Sequence, residues 1–301
     1  MGKVRRGIGG FWCAVGVVVW MAAAAAAAGA RADHPACEAA RAAREAFDMQ
    51  IPFEVIDGRI YVQVMANGRG PFRFALDTGA SGLGRADASL VAALGLAISP
   101  PVANSDGVAT AAADTTTLDV LDVGGLVKRD LRVITRDYNR GMSPAAALSG
   151  IVAREFFADG LLVIDYPRRL VSFSRRLALS PTQEGALRYE RPFRVPVSVG
   201  SLVVEGNLDT GANVAFVLPR ALFERVPGTP LEPVGQGRLA NTTVDAWRST
   251  VHGPFVIGQA SLEDVEVRVS ARYPELLVGA HALQSFVVVI DQRSRALAVC
   301  R

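Results

Sequence analysis

The hydrophobic residues fall into short runs separated by turn residues, which predicts a mainly β chain. Residues 60–65 and 72–76 read as two strands joined by a turn at Asn67-Gly68. Residues 195–199 and 202–208 form a second pair of strands around Gly200. Helix-like stretches are short, at about residues 88–96 and 219–226. We therefore expect barrel-like β structure.

Both predicted hairpins lead into the same five residues. These are Leu76-Asp77-Thr78-Gly79-Ala80 in the first half and Leu208-Asp209-Thr210-Gly211-Ala212 in the second. A second matched element follows in each half, Ile151-Val152-Ala153 and Leu277-Val278-Gly279, and twelve positions beyond it an apolar run ends in aspartate. A long internal repeat of this kind predicts two pseudo-symmetric lobes, at residues 48–178 and 190–301, with a linker at 179–189.

The N-terminus has the features of an export signal. Lys3, Arg5 and Arg6 precede an apolar stretch at residues 11–28, and Ala30-Arg31-Ala32 offers a cleavage site. We predict a signal peptide at residues 1–32 and a periplasmic or secreted protein. The run from Ile8 to Ala30 is also long enough to stay in a membrane as an anchor, so we expect membrane association only if it is not cleaved. Residues 33–47 then form an N-terminal segment, either a tether or an inhibitory pro-segment.

Removal of the signal changes the charge and the cysteine count. The formal charge falls from +3 to −1, because Lys3, Arg5, Arg6 and Arg31 leave and no acid does. No basic block remains to indicate nucleic acid binding. Cys37 and Cys300 stay, near the two ends of the mature chain. We predict a disulfide between them, with two free thiols as the alternative, because zinc-type spacing and a Cys-x-x-Cys motif are both missing.

The repeated Asp-Thr-Gly carries the candidate chemistry. A single copy would predict only a turn, since Asp and Gly both favour turns. Two copies at equivalent positions allow a pseudo-two-fold axis to bring Asp77 and Asp209 face to face. Two adjacent carboxylates cannot both ionise cheaply, so they share one proton and can activate a water molecule. Such chemistry requires neither a metal nor a cofactor, and we predict neither.

The neighbouring residues are candidates for active-site support. Gly79 and Gly211 allow the backbone to turn tightly beside the carboxylates. Thr78 and Thr210 carry short hydroxyls that can bond across the lobes. The next position is alanine in both copies, Ala80 and Ala212, and therefore offers no hydroxyl to lower the pKa of an aspartate. We therefore expect activity to extend toward mildly acidic or neutral pH.

These motifs resemble those of the pepsin-like and retropepsin-like aspartic peptidases, most closely bacterial exported retropepsin-like proteins with both motifs in one chain. The resemblance implies that Asp77 and Asp209 are catalytic and that the adjacent threonines and glycines brace them. It also implies two β-hairpin flaps, within residues 104–118 and 234–246. One departure is Ala153, where a glycine is usual, and its methyl group is expected to crowd the loop behind Asp77.

Two functions remain open from sequence. The first is an endopeptidase, expected to be a monomer, that cuts peptide or protein substrates in the cleft between the lobes. The second is a catalytically weak or inactive peptide-binding protein of the same fold in the cell envelope. Other hydrolase classes are not favoured, because Ser81 lacks a nucleophile elbow and no His-Glu-x-x-His cluster is present.

Overall fold

Met1, Gly2 and residues 34–301 are the part of the chain described by the structure, a computed structural model. The predicted signal peptide therefore lies, apart from its first two residues, outside the described residues. Strands dominate the described part and its helices are short, which confirms the predicted mainly β, two-lobed architecture. None of the described helices has the length and apolar character needed to cross a bilayer.

The strands are numbered in chain order. Those of the first half are β1 (Met49–Pro52), β2 (Glu54–Ile56), β3 (Arg59–Ala66), β4 (Arg69–Asp77), β5 (Gly84–Asp87), β6 (Ser99–Ser105), β7 (Thr110–Val123), β8 (Leu126–Arg136), β9 (Gly150–Ala153), β10 (Leu161–Asp165) and β11 (Leu170–Ser174). Those of the second half are β12 (Leu187–Arg188), β13 (Arg194–Val199), β14 (Leu202–Asp209), β15 (Phe216–Pro219), β16 (Glu232–Arg238), β17 (Thr243–Val251), β18 (Phe255–Ile257), β19 (Ala260–Leu262), β20 (Val265–Ser270), β21 (Leu276–Gly279), β22 (Val287–Asp291) and β23 (Ala296–Cys300).

The described helices are short, with seven residues in the two longest. The α-helices are α1 (Ala88–Leu94), α2 (Arg220–Phe223) and α3 (Ala280–Leu283). The 3-10 helices are Pro35–Arg41, Arg44–Ala46, Pro144–Ala146 and Arg154–Phe157. Asp87 caps α1 by accepting a hydrogen bond from the amide of Ser89, and Gly95 ends it in the left-handed conformation.

Lobe one is built on a sheet of order β2-β3-β4-β9-β5-β8-β7-β6. An additional pairing of β3 with β7 closes this sheet into a barrel. Lobe two is built on a sheet of order β16-β17-β20-β15-β21-β14-β13-β18-β19, and no pairing between its described strands closes it. Alternation of buried and exposed residues explains the strands: in β13, Val195, Val197 and Val199 face the core and the residues between them do not.

A third sheet joins the two lobes. This central sheet has the order β1-β11-β10-β22-β23-β12, so it contains strands from both halves. Its middle pair is β10 with β22, antiparallel, with Leu161 opposite Asp291 and Asp165 opposite Val287. The predicted linker, residues 179–189, contributes β12 to its edge. The lobes are therefore held together by backbone hydrogen bonds as well as by side chains.

The N-terminal segment packs on the central sheet. Ala36, Cys37 and Phe47 share a buried apolar cluster with side chains of β10, β22 and β23. The predicted disulfide between Cys37 and Cys300 is present, with the two Cα atoms 5.9 Å apart. Both cysteines are buried. The N-terminal segment and strand β23 are thus joined to each other on this sheet.

Candidate active site

Asp77 and Asp209 occupy equivalent strand ends. Asp77 is the last residue of β4 and lies opposite Ala153 in the parallel strand β9. Asp209 is the last residue of β14 and lies opposite Gly279 in the parallel strand β21. In each lobe the two repeated sequence elements therefore lie side by side, and the aspartate points out from the end of a strand.

Each glycine of the repeated motif packs against the aspartate of the other lobe. A side chain at Gly79 would place its Cβ 2.4 Å from Cγ of Asp209, and one at Gly211 would lie 2.4 Å from Cγ of Asp77. Real Cβ atoms do not approach so closely, so only glycine fits at either position. The structure thus brings the two carboxyl groups together across the interface between the lobes.

The two threonines exchange a reciprocal set of hydrogen bonds. The Thr78 hydroxyl donates to the Leu208 carbonyl at 3.2 Å and accepts from the Thr210 amide at 3.0 Å. The Thr210 hydroxyl donates to the Leu76 carbonyl at 2.9 Å and accepts from the Thr78 amide at 3.1 Å. Both side chains are at most 2% exposed. Because each bond crosses between lobes, the network fixes the position of one aspartate relative to the other.

The environment of Asp209 favours its protonated form. Burial raises the pKa of Asp209, and the charge of Asp77 and a hydrogen bond between the two carboxyls raise it further. The Gly211 amide, which donates to Oδ1 at 2.8 Å, and the charge of Arg59 act in the opposite direction without reversing the shift in pKa. Asp77 accepts its own backbone bond, from the Ala80 amide to Oδ1 at 2.9 Å.

The loops behind the aspartates have the same hydrogen bonds in both lobes. In each lobe three successive amides, beginning with the last residue of β9 or β21, donate to three carbonyls of the loop that follows the aspartate. In lobe one the bonds run from Ala153 to Leu83, Arg154 to Ala80 and Glu155 to Gly82. In lobe two they run from Gly279 to Ala215, Ala280 to Ala212 and His281 to Val214.

Ala153 does not disrupt this loop, contrary to the crowding expected from sequence. In lobe two, a Cβ at Gly279 would lie 2.3 Å from the carbonyl oxygen of Val214. In lobe one the residue equivalent to Val214 is Gly82, whose φ of 82° few other residues adopt. The loop of lobe one therefore follows a path that leaves room for the methyl group of Ala153.

Two hairpins cover this side of the molecule, where the resemblance implies flaps. The lobe-one hairpin consists of β6 and β7, and the lobe-two hairpin consists of β16 and β17. Their tips, residues 104–109 and 239–242, bond to each other, and we call this contact the hairpin latch. Asn241 donates its backbone amide to Asp106 Oδ2 at 2.7 Å and its Nδ2 to the carbonyls of Asn104, at 2.7 Å, and Ala109, at 3.0 Å.

Further contacts hold the latch. Arg136 Nη1 donates to the carbonyl of Ala240 at 2.7 Å and to Oδ1 of Asn241 at 2.8 Å. Partial burial alone would raise the pKa of Asp106, but backbone amides that donate to its carboxylate outweigh burial and lower that pKa. All polar groups of the Asn241 side chain therefore have partners in lobe one.

Several residues of the site carry no signal that sequence reasoning detected. Tyr138 and Tyr273 follow the last strand before each second repeated element, and their phenols interact electrostatically with Asp77 and Asp209 respectively. Burial raises the pKa of Tyr138 to about 12 and also raises that of Tyr273. A tyrosine in each of these matched segments, 137–149 and 271–275, was the available signal.

Two arginines brace the glycines from outside. Arg59 Nε donates to the Gly211 carbonyl at 2.6 Å, and Arg154 Nη1 donates to the Gly79 carbonyl at 3.3 Å. Both arginines belong to lobe one, and they occupy different elements, so the repeat in the sequence gave no reason to pair them.

Comparison with known proteins agrees with this geometry. No curated protein gives a significant match to the chain. The family model described as aspartyl protease matches residues 62–156 and 195–282, which together make up more than half of the chain. The two matched regions contain both repeated motifs and both second elements. The chain therefore belongs to the aspartyl protease family.

Proposed function

We propose that this protein is an aspartic endopeptidase that hydrolyses peptide bonds with a water molecule activated by Asp77 and Asp209. The observation that supports this most directly is the reciprocal packing of Gly79 and Gly211 against the opposite carboxyl groups. That packing leaves two carboxyls adjacent, with the threonine network holding their separation. Membership of the family implies peptide substrates.

The mechanism follows from one shared proton. Adjacent carboxyls ionise one at a time, as is established for the dyad of aspartic proteases. Asp209 holds the proton because its pKa is raised, and it donates a hydrogen bond to the substrate carbonyl oxygen. Asp77 accepts a proton from water as that water attacks the carbonyl carbon, and Asp209 passes its proton to the carbonyl oxygen, so a tetrahedral diol forms. Asp77 then gives the proton that it took from water to the leaving amine nitrogen, and Asp209 takes back a proton from a hydroxyl of the diol. The two products leave and no covalent bond to the enzyme forms.

The hairpins define how a substrate would bind. An extended peptide between them can add backbone hydrogen bonds to strand edges, with alternate side chains directed toward each lobe. Because the hairpin latch bridges the two tips, it must open before a peptide can enter. Because the bound peptide is extended, unfolded segments of a protein should be cleaved faster than folded ones.

A peptide-library digest tests the proposed chemistry. The wild-type protein should release fragments, and Asp77→Asn or Asp209→Asn should reduce the rate by more than about a thousandfold, since each removes one of the two acid–base groups. Asp130→Asn, at an exposed position in β8 outside both hairpins, is the matched control and should retain the wild-type rate. Equal digestion by wild type and both dyad variants would refute the enzyme and favour the peptide-binding alternative.

We also propose that residues 1–32 direct export to the periplasm or out of the cell. The buried Cys37–Cys300 disulfide supports an oxidising location, since such bonds are rare in the cytosol. N-terminal sequencing of the protein from the host's envelope or medium should find Asp33 first. A mature chain that begins at Met1 would instead indicate a retained membrane anchor.

A further inference from the structure

The two lobes can be compared residue by residue, because the strands after each aspartate have the same spacing and pairing. Arg85 is the eighth residue after Asp77, and Val217 is the eighth after Asp209. Two positions further on, Asp87 lies opposite Arg136 in lobe one, and Pro219 lies opposite Ser270 in lobe two. Lobe one therefore has arginines at positions 85 and 136, where lobe two has the neutral residues Val217 and Ser270.

Both arginines lie on the face of lobe one that the hairpins cover. Ala86 packs in the core of lobe one, so Arg85, its neighbour on β5, points to the opposite face. Arg136 lies on that face as well, since its guanidinium reaches the tip of the lobe-two hairpin. Arg85 is only 8% exposed and its Nη2 lies 3.4 Å from the hydroxyl of Ser81, in the loop that follows Asp77.

Arg136 has a donor group without an acceptor. Its Nη1 binds the lobe-two hairpin, but Nη2 is buried and has no hydrogen-bond partner among the described residues. The guanidinium is planar, so Nη2 is held in a fixed direction beside Nη1. A buried donor of a charged group is strongly favoured to acquire an acceptor, and a carboxylate matches the guanidinium best.

Each nearby acid already bonds to another group through at least one of its oxygens. Asp87 accepts from the amide of Ser89 through Oδ1, at 2.9 Å, and from the amide of Tyr138 through Oδ2, at 2.8 Å. Glu155 forms an ion pair with Arg154 through Oε1, at 3.0 Å, while its Oε2 is buried without a hydrogen-bond partner among the described residues. Asp77 and Glu155 are the acids whose charges act on Arg85, and Asp77 belongs to the dyad.

The phenol of Tyr138 locates the two arginines relative to the dyad. It interacts electrostatically with Arg85, Arg136, Asp77 and Asp87, so these groups lie near one another, and Arg85 also reaches Ser81 in the loop that follows Asp77. Lobe two does carry one arginine on the equivalent face, Arg268, which pairs with Val217. Its Nη1 is also buried without a hydrogen-bond partner among the described residues, but Glu266 lies 2.8 Å from that Nη1 and offsets the charge of Arg268.

We propose that the lobe-one wall beside Asp77 is a subsite for an acidic side chain of the substrate, with Arg136 as its direct ligand and Arg85 as a second positive charge. This inference rests on the proposed function and deepens it, because it names the substrate class: peptides with Asp or Glu on one side of the scissile bond. The equivalent residues of lobe two, Val217 and Ser270, are neutral and give no such preference on the other side of the scissile bond. The peptide chain is therefore bound in one direction along the cleft.

Matched peptides test the proposal. Pairs that differ only as Asp against Asn or Glu against Gln, at each position in turn, separate charge from shape. Wild type should cleave the acidic member of one pair faster in kcat/KM, by roughly tenfold or more, because hydrogen bonds between two charged groups are stronger than those to a neutral amide. Arg136→Gln should abolish that ratio, and Arg136→Glu should favour a lysine in place of the acid. Arg268→Gln is the control and should keep the wild-type ratio.

Two further measurements keep the outcomes separate. Asn241→Ala weakens the same hairpin contact without removing the cation, so it should keep the acidic preference even if overall rates change. Wild type that cleaves acidic and neutral members equally, or Arg136→Gln with the wild-type ratio, would overturn the subsite. If no peptide is cleaved faster by wild type than by Asp77→Asn, the proposed function itself fails.

Discussion

The backbone amide of Asn241 donates a 2.7 Å hydrogen bond to Oδ2 of Asp106, and this bond joins the tips of two hairpins that belong to different lobes. The side-chain amide of Asn241 adds bonds to two carbonyls of the lobe-one hairpin. One residue therefore supplies most of the hairpin latch. Its removal should change access to the cleft without touching the aspartates.

We expect Asn241→Ala to open the hairpins more often. The substitution removes the side-chain bonds to Asn104 and Ala109 and the acceptor of Arg136. At about 1 kcal/mol net for each bond, opening should become roughly tenfold to a hundredfold more frequent. Hydrogen exchange of the backbone amides in residues 104–118 and 234–246 measures this. Gln236→Ala, at an exposed position of the same hairpin, is the control, and equal protection in both variants would contradict the latch.

The reciprocal threonine bonds predict a large effect from a small change. Thr78→Ala leaves the Thr210 amide and the Leu208 carbonyl buried without these partners, so unfolding should become easier by about 2–5 kcal/mol. Thr78→Ser keeps the hydroxyl and should lose about 1 kcal/mol, the value of one buried methyl group. Denaturant titration followed by circular dichroism gives both numbers. The network would have no special role if the two variants were equally stable.

The raised pKa of Asp209 predicts a specific pH dependence of stability. The folded protein binds this proton more tightly than the unfolded chain does, so the contribution of Asp209 is most favourable below the unfolded pKa of about 4. It declines as pH rises toward the raised pKa of the folded state. Asp209→Asn cannot ionise, so its Tm should rise relative to the Tm of wild type as the pH increases from about 4 to neutral.

The same shift bears on activity. Because Asp209 keeps its proton into the neutral range, kcat/KM should persist at mildly acidic or neutral pH before it falls on the alkaline side. A Tm difference between wild type and Asp209→Asn that does not vary with pH would argue against the raised pKa. So would a rate profile confined to strongly acidic solution.

The two lobes should differ in how well they tolerate a change between glycine and alanine at positions 153 and 279. Gly279→Ala would place its Cβ against backbone oxygens of Val214 and Ala212, so the loop after Asp209 must move. We expect a loss of about 1–3 kcal/mol in stability, as for overpacked cores, and a lower kcat. Ala153→Gly should lose about 1 kcal/mol or less. The double variant Gly279→Ala with Val214→Gly should recover part of the loss, and no recovery would disprove the compensation.

The local features of the fold were readable from sequence. The strands β10 and β22 are the apolar runs that end in Asp165 and Asp291, and both hairpins before the aspartates occur as predicted. Hydrophobic periodicity and turn residues are local signals and locate such elements directly. The helix predicted at residues 219–226 is shorter, since α2 ends at Phe223, and Pro227 disfavours helical geometry in the residue before it.

Long-range pairings were not readable. The antiparallel contact of β10 with β22 creates the central sheet, yet an apolar strand does not specify which distant strand it will join. Asn241 illustrates the same limit: its amide groups fit the lobe-one hairpin tip, and its local sequence indicates only a turn. The repeat located the aspartates because it is a comparison within the chain. Arg85 and Arg136 have no arginine at the equivalent positions of the second half, so the comparison of the two halves did not reveal them.

The presence of both halves on one polypeptide has a consequence for how they diverge. In a pair of identical subunits, any replacement appears twice, so a change that benefits one side is imposed on the other. In this chain the first half has Gly82 and Ala153 where the second half has Val214 and Gly279. In each half the loop therefore leaves room for the side chain that is present. Because the halves are joined through the central sheet, each can change independently. The two sides of the cleft can then differ in a way that is impossible for two identical subunits.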